Sequence, residues 1–333
     1  MDEKILTVTI PSYNAQKYLN KCLDSFIVTD VLKYIEILIV NDGSTDDTAQ
    51  IAQTYVDRFP DSFKLINKEN GGHGSGINTG VQNATGKYFK VVDADDWVNT
   101  SEFGGFVEML KTSESDVISS DFMCIEDETY DVIKRVLATE IEDRYGKECN
   151  LSDIKLDRVV KMHNMTIKTS ILKEHYRPID EHCFYVDAEY ITYPVPYINT
   201  VYYDKRDVYI YRLGRTGQSV TWDSMARNKD MHLRVLTQLV KFYDEVSEQI
   251  SGHKLEYLKR CIGDMIDNQF QIYIVLGDDK NMQDELRHWD KNMKRTHPDL
   301  YNSISKKSIY LIRFTNYAIL PVGKLAHRLI KGE

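Results

Sequence analysis

The 333-residue sequence contains no apolar run approaching the length that crosses a bilayer, about 20 residues. It also lacks any CxxC pair. Its five cysteines, Cys22, Cys124, Cys149, Cys183 and Cys261, are scattered and odd in number, a pattern of reduced thiols rather than of a disulfide frame. Positive charge is in short supply, with 42 Lys and Arg against 51 Asp and Glu for a net charge of -9. That balance excludes a nucleic-acid partner gripped along its phosphates, which needs a basic face. A nucleotide-sized anion can still be held by local amides and a metal ion. No internal repeat or low-complexity tract is visible. The opening residues, Met1 to Leu6, carry charge and run into a strand-like segment without the apolar core and cleavage site of a signal peptide. The expectation is a cytoplasmic protein.

What is present is an ordinary globular composition, 42% hydrophobic and 28% charged, on a chain longer than one core usually serves. The first hundred residues alternate short β-branched runs with amphipathic segments, as in an α/β sheet covered by helices. Strands are expected at 5–10, 35–40, 63–66 and 88–92, and helices at 15–27, 46–59 and 74–84. From 102 to 222 the periodicity is mixed and a tyrosine-dense stretch spans 185–211. Beyond 223 apolar residues recur at three- and four-residue spacing, predicting helices at 225–250, 254–276 and 282–294. The expected division is a domain at 1–222, with a nucleotide-binding half at 1–100 and an acceptor half at 101–222, then a helical region at 223–333.

Ligands of open parallel sheets bind at the carboxyl ends of strands, and four segments there carry chemistry. Asp93-Ala94-Asp95-Asp96-Trp97 crowds three carboxylates into one turn, and a hard divalent cation with oxygen ligands relieves such repulsion. A solvated acidic turn capping the next helix explains the same residues. In Asn41-Asp42-Gly43-Ser44-Thr45-Asp46 most residues serve a turn and a helix cap, but Asp42 can accept a hydrogen bond from a base N–H. Pro11-Ser12-Tyr13-Asn14 offers an aromatic ring on which a base could stack. The run Asn70 to Gly80 is glycine-rich but lacks the Lys-Ser/Thr ending of a P-loop, so it reads as a wall beside a flat ligand or as a plain loop.

Together, in order and strand-end placement, these segments resemble the nucleotide-sugar-binding half of the family 2 glycosyltransferases. The resemblance implies the GT-A fold: an α/β, Rossmann-like, mixed but mostly parallel central sheet flanked by helices, here with a helical C-terminal unit. It implies that Pro11, Tyr13, Asp42 and Asn78 line the donor pocket and that Asp93 contacts ribose or the metal's shell. Asp95 with Asp93 would bind Mn2+ or Mg2+. Many relatives carry an arginine where this chain has Ile77, and His73 is a candidate substitute. Phe184 to Tyr190 resembles the family's base motif, with Val186 where relatives often have Glu. Asp187 is assigned as the base that takes the acceptor's proton, with Glu189 as its rival. The segment 209–221 resembles a stretch following that motif in bacterial members, and Arg212, Arg215 and Gln218 there could reach the diphosphate.

The implied function is an inverting, metal-dependent transfer from a UDP-sugar to a glycan or lipid-linked acceptor in cell-surface glycan synthesis. A scaffold that keeps the fold and the nucleotide-sugar site without turnover is the alternative, and a nucleotidyltransferase ranks last for want of a basic triphosphate loop. Ser303 to Gly332 contains no acid but six lysines and arginines among apolar residues. Such a tail suits the inner face of an anionic membrane, and packing on the catalytic body or on another copy in a homo-oligomer suits it equally.

Overall fold

The computed structural model describes residues 3–214, 221–276, 280–304 and 306–320. The chain divides into two compact units, Met1–Arg215 and Thr216–Glu333.

The first unit is built on a ten-stranded mixed sheet. Its strands are β1 (Leu6–Ser12), β2 (Ile35–Asp42), β3 (Phe63–Lys68), β4 (Tyr88–Val91), β5 (Trp97–Val98), β6 (Val117–Glu126), β7 (Val132–Val136), β8 (Glu148–Asn150), β9 (Met165–Lys168) and β10 (Thr200–Leu213). The order is β3-β2-β1-β4-β9-β6-β10-β5, with β7 on β6 and β8 on β10. β3, β2, β1 and β4 run parallel, as do β6 and β10. β9 lies antiparallel between β4 and β6 and joins the two parallel blocks. β1 and β2 are buried at every position, as their continuous apolar runs require when both faces are covered.

The covering helices are α1 (Leu19–Asp24), α2 (Thr48–Arg58), α3 (His73–Asn83), α4 (Thr100–Thr112), α5 (Thr169–Glu174) and α6 (Asp187–Thr192). The glycine-rich run is the start of α3, and its glycines serve packing. A Cβ on Gly76 would lie 2.7 Å from Pro11 Cβ, and one on Gly80 would overlap the side chain of Thr9. The expected wall beside a ligand is therefore a close helix-on-strand contact, and Pro11, expected in the donor pocket, is buried against it.

The second unit is helical: α7 (Trp222–Arg227), α8 (Lys229–Val246), α9 (Gly252–Val275), α10 (Lys280–Thr296), α11 (Pro298–Asn302) and α12 (Lys307–Phe314). Its buried face is apolar at helical spacing, with Val235, Leu236, Leu239 and Phe242 on α8 and Leu258, Ile262, Ile266 and Phe270 on α9. Buried Asp290 accepts two bonds from the Arg313 guanidinium and one from Tyr317. Among the described residues no helix is long and apolar enough to cross a membrane. All five cysteines are thiols.

Candidate active site

The parallel strands β1, β2 and β4 end side by side, and their first polar residues face one region. At the end of β1, Asn14 takes a left-handed backbone (φ 48°) and its side chain accepts the Thr45 amide at 2.9 Å, while its own amide donates to Ser44 Oγ at 3.0 Å. These bonds tie the β1 and β2 loops together and leave the Tyr13 ring 55% exposed. Asp42, buried at the end of β2, accepts from Lys68 Nζ (2.9 Å) and the Gly71 amide (2.9 Å) through Oδ1, and from the Gly72 amide (2.7 Å) through Oδ2. A carboxylate oxygen has two acceptor sites, so Oδ2 keeps capacity for a base N–H.

Gly72, at φ 84°, turns the chain into α3 and sets His73 at its first position. His73 Nε2 lies 2.8 Å from Asp93 Oδ1. Close packing disfavours charge on the imidazole, but the nearby carboxylates, Asp93 foremost and then Asp187 and Asp95, outweigh it and raise its pKa. Ile77, which stands in for the family's arginine, is wholly buried, so His73 is the basic side chain that this helix presents to the acids.

The acidic turn follows β4. Asp96 lies beneath it, almost fully buried, accepting from the Tyr209 hydroxyl (2.5 Å) and the Arg212 amide (2.8 Å). Burial, with the fields of Asp95 and Asp93, pushes its carboxyl well above the usual range. Donor atoms of Asp93, Asp96 and His163 lie within 4.8 Å of one another. Burial lowers the His163 imidazole to about 4, which leaves it neutral and able to ligate. Two carboxylates and a neutral imidazole suit a divalent ion such as Mn2+. The expected pair was Asp93 and Asp95. The geometry groups Asp93 with Asp96 and His163, while Asp95 lies half-buried on the same turn. His163 carries no motif. Its ring packs on Tyr211 and Tyr209, at centroid distances of 4.3 and 4.8 Å.

The two acids proposed for the base motif separate cleanly. Glu189 is fully buried and accepts from the Asp180 amide (2.8 Å) and the Tyr193 hydroxyl (2.9 Å), ties within the protein interior. Asp187, first residue of α6, keeps its side chain open to solvent. Protein crowding nevertheless raises its carboxyl, with Asp93 adding to the rise and His73 and Lys161 opposing it. Val186, where relatives often have Glu, is buried in the core.

Two further residues expected at the donor are engaged elsewhere. Asn78 is buried and clamps the backbone of Ile179, its amide donating to the carbonyl (2.8 Å) and its oxygen accepting the N–H (2.9 Å). Arg212, only 4% exposed, donates to the Asp95 carbonyl (2.8 Å) and to Asp127 (2.7 Å), so its guanidinium is taken up inside the protein rather than reaching out. Arg215 and Gln218 lie outside the described residues.

The family model described as Glycosyl transferase family 2 matches residues 7–176. The glycosyltransferase GlyA of Streptococcus pneumoniae is 37% identical over 122 residues, 37% of this chain and 17% of that protein. The putative glycosyltransferase EpsH of Bacillus subtilis is 27% identical over 220 residues, 62% of each. The aligned part thus spans less than two thirds of these relatives. Among solved structures, TarS residues 1–349 of S. aureus in complex with UDP-GlcNAc matches with a TM-score of 0.65 at 16% identity, over 99% of this chain and 92% of that one. The mannosyltransferase PcManGT from Pyrobaculum calidifontis, in complex with GDP-Man and Mn2+, matches with a TM-score of 0.51 at 14% identity, over 98% and 88%. At these identities the likeness is one of fold, and the fold is GT-A.

Proposed function

Since the chain belongs to glycosyl transferase family 2, we propose that it moves a sugar from a UDP-sugar to a saccharide or lipid-linked saccharide acceptor, with inversion, in the making of a cell-surface glycan. The observation that carries this reading is that Asp187, alone of the two candidate bases, stands open to solvent within the electrostatic reach of the His73–Asp93 pair. In this reading the base works beside a donor-side acidic site.

In this reading Tyr13 stacks on the base, Asp42 accepts its N–H, and Asp93 with His163 and the turn acids Asp95 and Asp96 would hold Mn2+ or Mg2+. The ion would supply charge neutralisation for the departing diphosphate. His73, beside Asp93, adds a cation at the start of α3, where the amide dipoles also favour an anion. Asp187 takes the acceptor hydroxyl's proton as the new bond forms, and its raised pKa brings it nearer to working pH, where a base is most effective. Attack from the side opposite the leaving group would turn an α-linked donor into a β-linked product.

The experiment is a panel of UDP-sugars with and without Mn2+, scored first by thermal shift and then by release of UDP. A ligand of the native state raises its stability. Stabilisation without any donor turnover, including slow hydrolysis, would mark a scaffold and end the enzyme reading.

The second unit supports a membrane-surface contact. On α12 the side chains of Tyr310, Leu311 and Phe314 are exposed, Phe314 to 88%, while Ile309 and Ile312 face inward, and exposed Lys306 and Lys307 flank them. An apolar outer face beside cations suits an anionic lipid surface. Residues 321–333 of the expected basic tail lie outside the described residues. Sedimentation with phosphatidylglycerol vesicles tests it: equal recovery of the wild type and of Phe314→Ser would remove this contact.

A further inference from the structure

We infer that Arg212 is a positioning residue for the acidic turn and not a ligand of the diphosphate, an inference that rests on the donor-site reading above. Three contacts converge. Its backbone N–H holds Asp96 Oδ1 (2.8 Å), its Nε holds the Asp95 carbonyl (2.8 Å), and its Nη1 is paired with Asp127 (2.7 Å). Tyr209, three residues earlier on β10, completes the clamp, since its hydroxyl accepts the Asp93 amide (3.2 Å) and donates to Asp96 Oδ2 (2.5 Å). β10 thus fixes the backbone of the turn at Asp93 and Asp95 and both oxygens of Asp96.

The setting of the guanidinium explains why this matters. Aromatic rings of Tyr18, Trp97 and Tyr130 lie over it at 4.9, 4.9 and 5.7 Å. Lys21 sits 3.8 Å from the Trp97 ring and 3.5 Å from that of Tyr130. The guanidinium is itself buried beneath these rings, so its positive charge acts on the turn's acids through a medium of lowered dielectric. Three acids in one turn repel one another. A fixed cation behind them offsets that repulsion and keeps Asp93 and Asp95 in place on the turn's outer side, as partners behind a ligand set commonly do.

The test uses the full chain, with Mn2+ binding followed by electron paramagnetic resonance and UDP binding followed by calorimetry in EDTA. Arg212→Gln should weaken Mn2+ binding about 10- to 100-fold while leaving UDP affinity in EDTA unchanged. Asp127→Asn, which leaves the arginine in place and removes only its anionic partner, should shift Mn2+ affinity the same way by less. Arg212→Lys keeps the charge without the fork that spans Asp95 and Asp127, and should fall between wild type and Arg212→Gln. These two milder variants carry the test should Arg212→Gln fail to fold. A loss of UDP affinity in EDTA with Mn2+ binding intact would make Arg212 a diphosphate ligand and overturn the inference, as would wild-type Mn2+ affinity in all three variants. A wild-type protein that binds neither Mn2+ nor UDP would instead sink the donor-site reading itself.

Discussion

The two acidic centres of the first unit are held in opposite ways. Asp42 is gripped from the neighbouring strand β3, by the Lys68 ammonium at its end and the Gly71 and Gly72 amides just after it. The Asp93–Asp96 turn is gripped from across the sheet, by Tyr209 and Arg212 more than a hundred residues further on. The surroundings of Asp42 are therefore complete by the end of β3 and the start of α3, whereas the acidic turn takes its shape from β10. Asp187 and His73 each interact electrostatically with Asp93 at that turn.

This contrast can be broken at separate points, and the largest effect is expected at Asp187. Asp187→Asn should cut transfer about 10²- to 10⁴-fold, the usual contribution of a general base, with UDP binding and melting temperature close to wild type. Glu189→Gln should show the reverse pattern, a lowered melting temperature because its buried ties to Asp180 and Tyr193 weaken, with turnover per folded molecule retained. Rate and stability assays run side by side decide between them, and a thermally intact, inactive Glu189→Gln would reassign the base. A smaller effect separates the two grips. Asp42→Asn should weaken UDP binding about tenfold, in the range for a hydrogen bond to a charged group, with or without Mn2+ and without changing Mn2+ affinity itself. Calorimetry showing a loss only when Mn2+ is present would mean that the base pocket is not self-contained.

The smallest effect concerns Lys90, buried on β4 just before the turn and donating to the carbonyls of His163 (2.8 Å) and Met165 (3.3 Å). Burial pushes its ammonium down to about 7, against about 10.4 in an unfolded chain. Across that window the unfolded state holds a proton that the folded state has released, so this group makes stability rise with pH from about 7 upward. Urea midpoints at pH 7 and pH 9 should therefore rise less in Lys90→Met than in the wild type. Identical rises would show that this lysine does not stitch β4 to the β9 side through a proton-sensitive contact.

The same contrast explains what the sequence made legible. The strands and helices of the first hundred residues, the exposed Tyr13, and Asp42 with its glycine turn all belong to contiguous segments whose partners lie nearby, so periodicity and turn chemistry reach them. In the second unit α9 and α10 follow from apolar spacing in the same way, while the first expected helix is divided into α7 and α8 at Asn228. Sheet pairing between distant strands leaves no local trace. His163, which shares the acid cluster, and Tyr209, which clamps it, were therefore not legible as site residues. At Pro11 and Asn78 a segment resembling a binding motif does not reveal which of its side chains turns inward. For Asp187 and Glu189, two residues apart on α6, only burial separates the open acid from the structural one.

The close approach of Gly80 to Thr9 sets how α3 is seated on β1. Gly80 lies seven residues along α3 from His73, about 10 Å at 1.5 Å per residue, and it seats the helix directly on Thr9 of β1. Any larger side chain there would act as a shim under the far end of a lever, tilting the His73 end relative to the Asp93 it pairs with. The reach of that imidazole is thus gauged by a missing methyl group two helical turns away, at a position no substrate would ever meet.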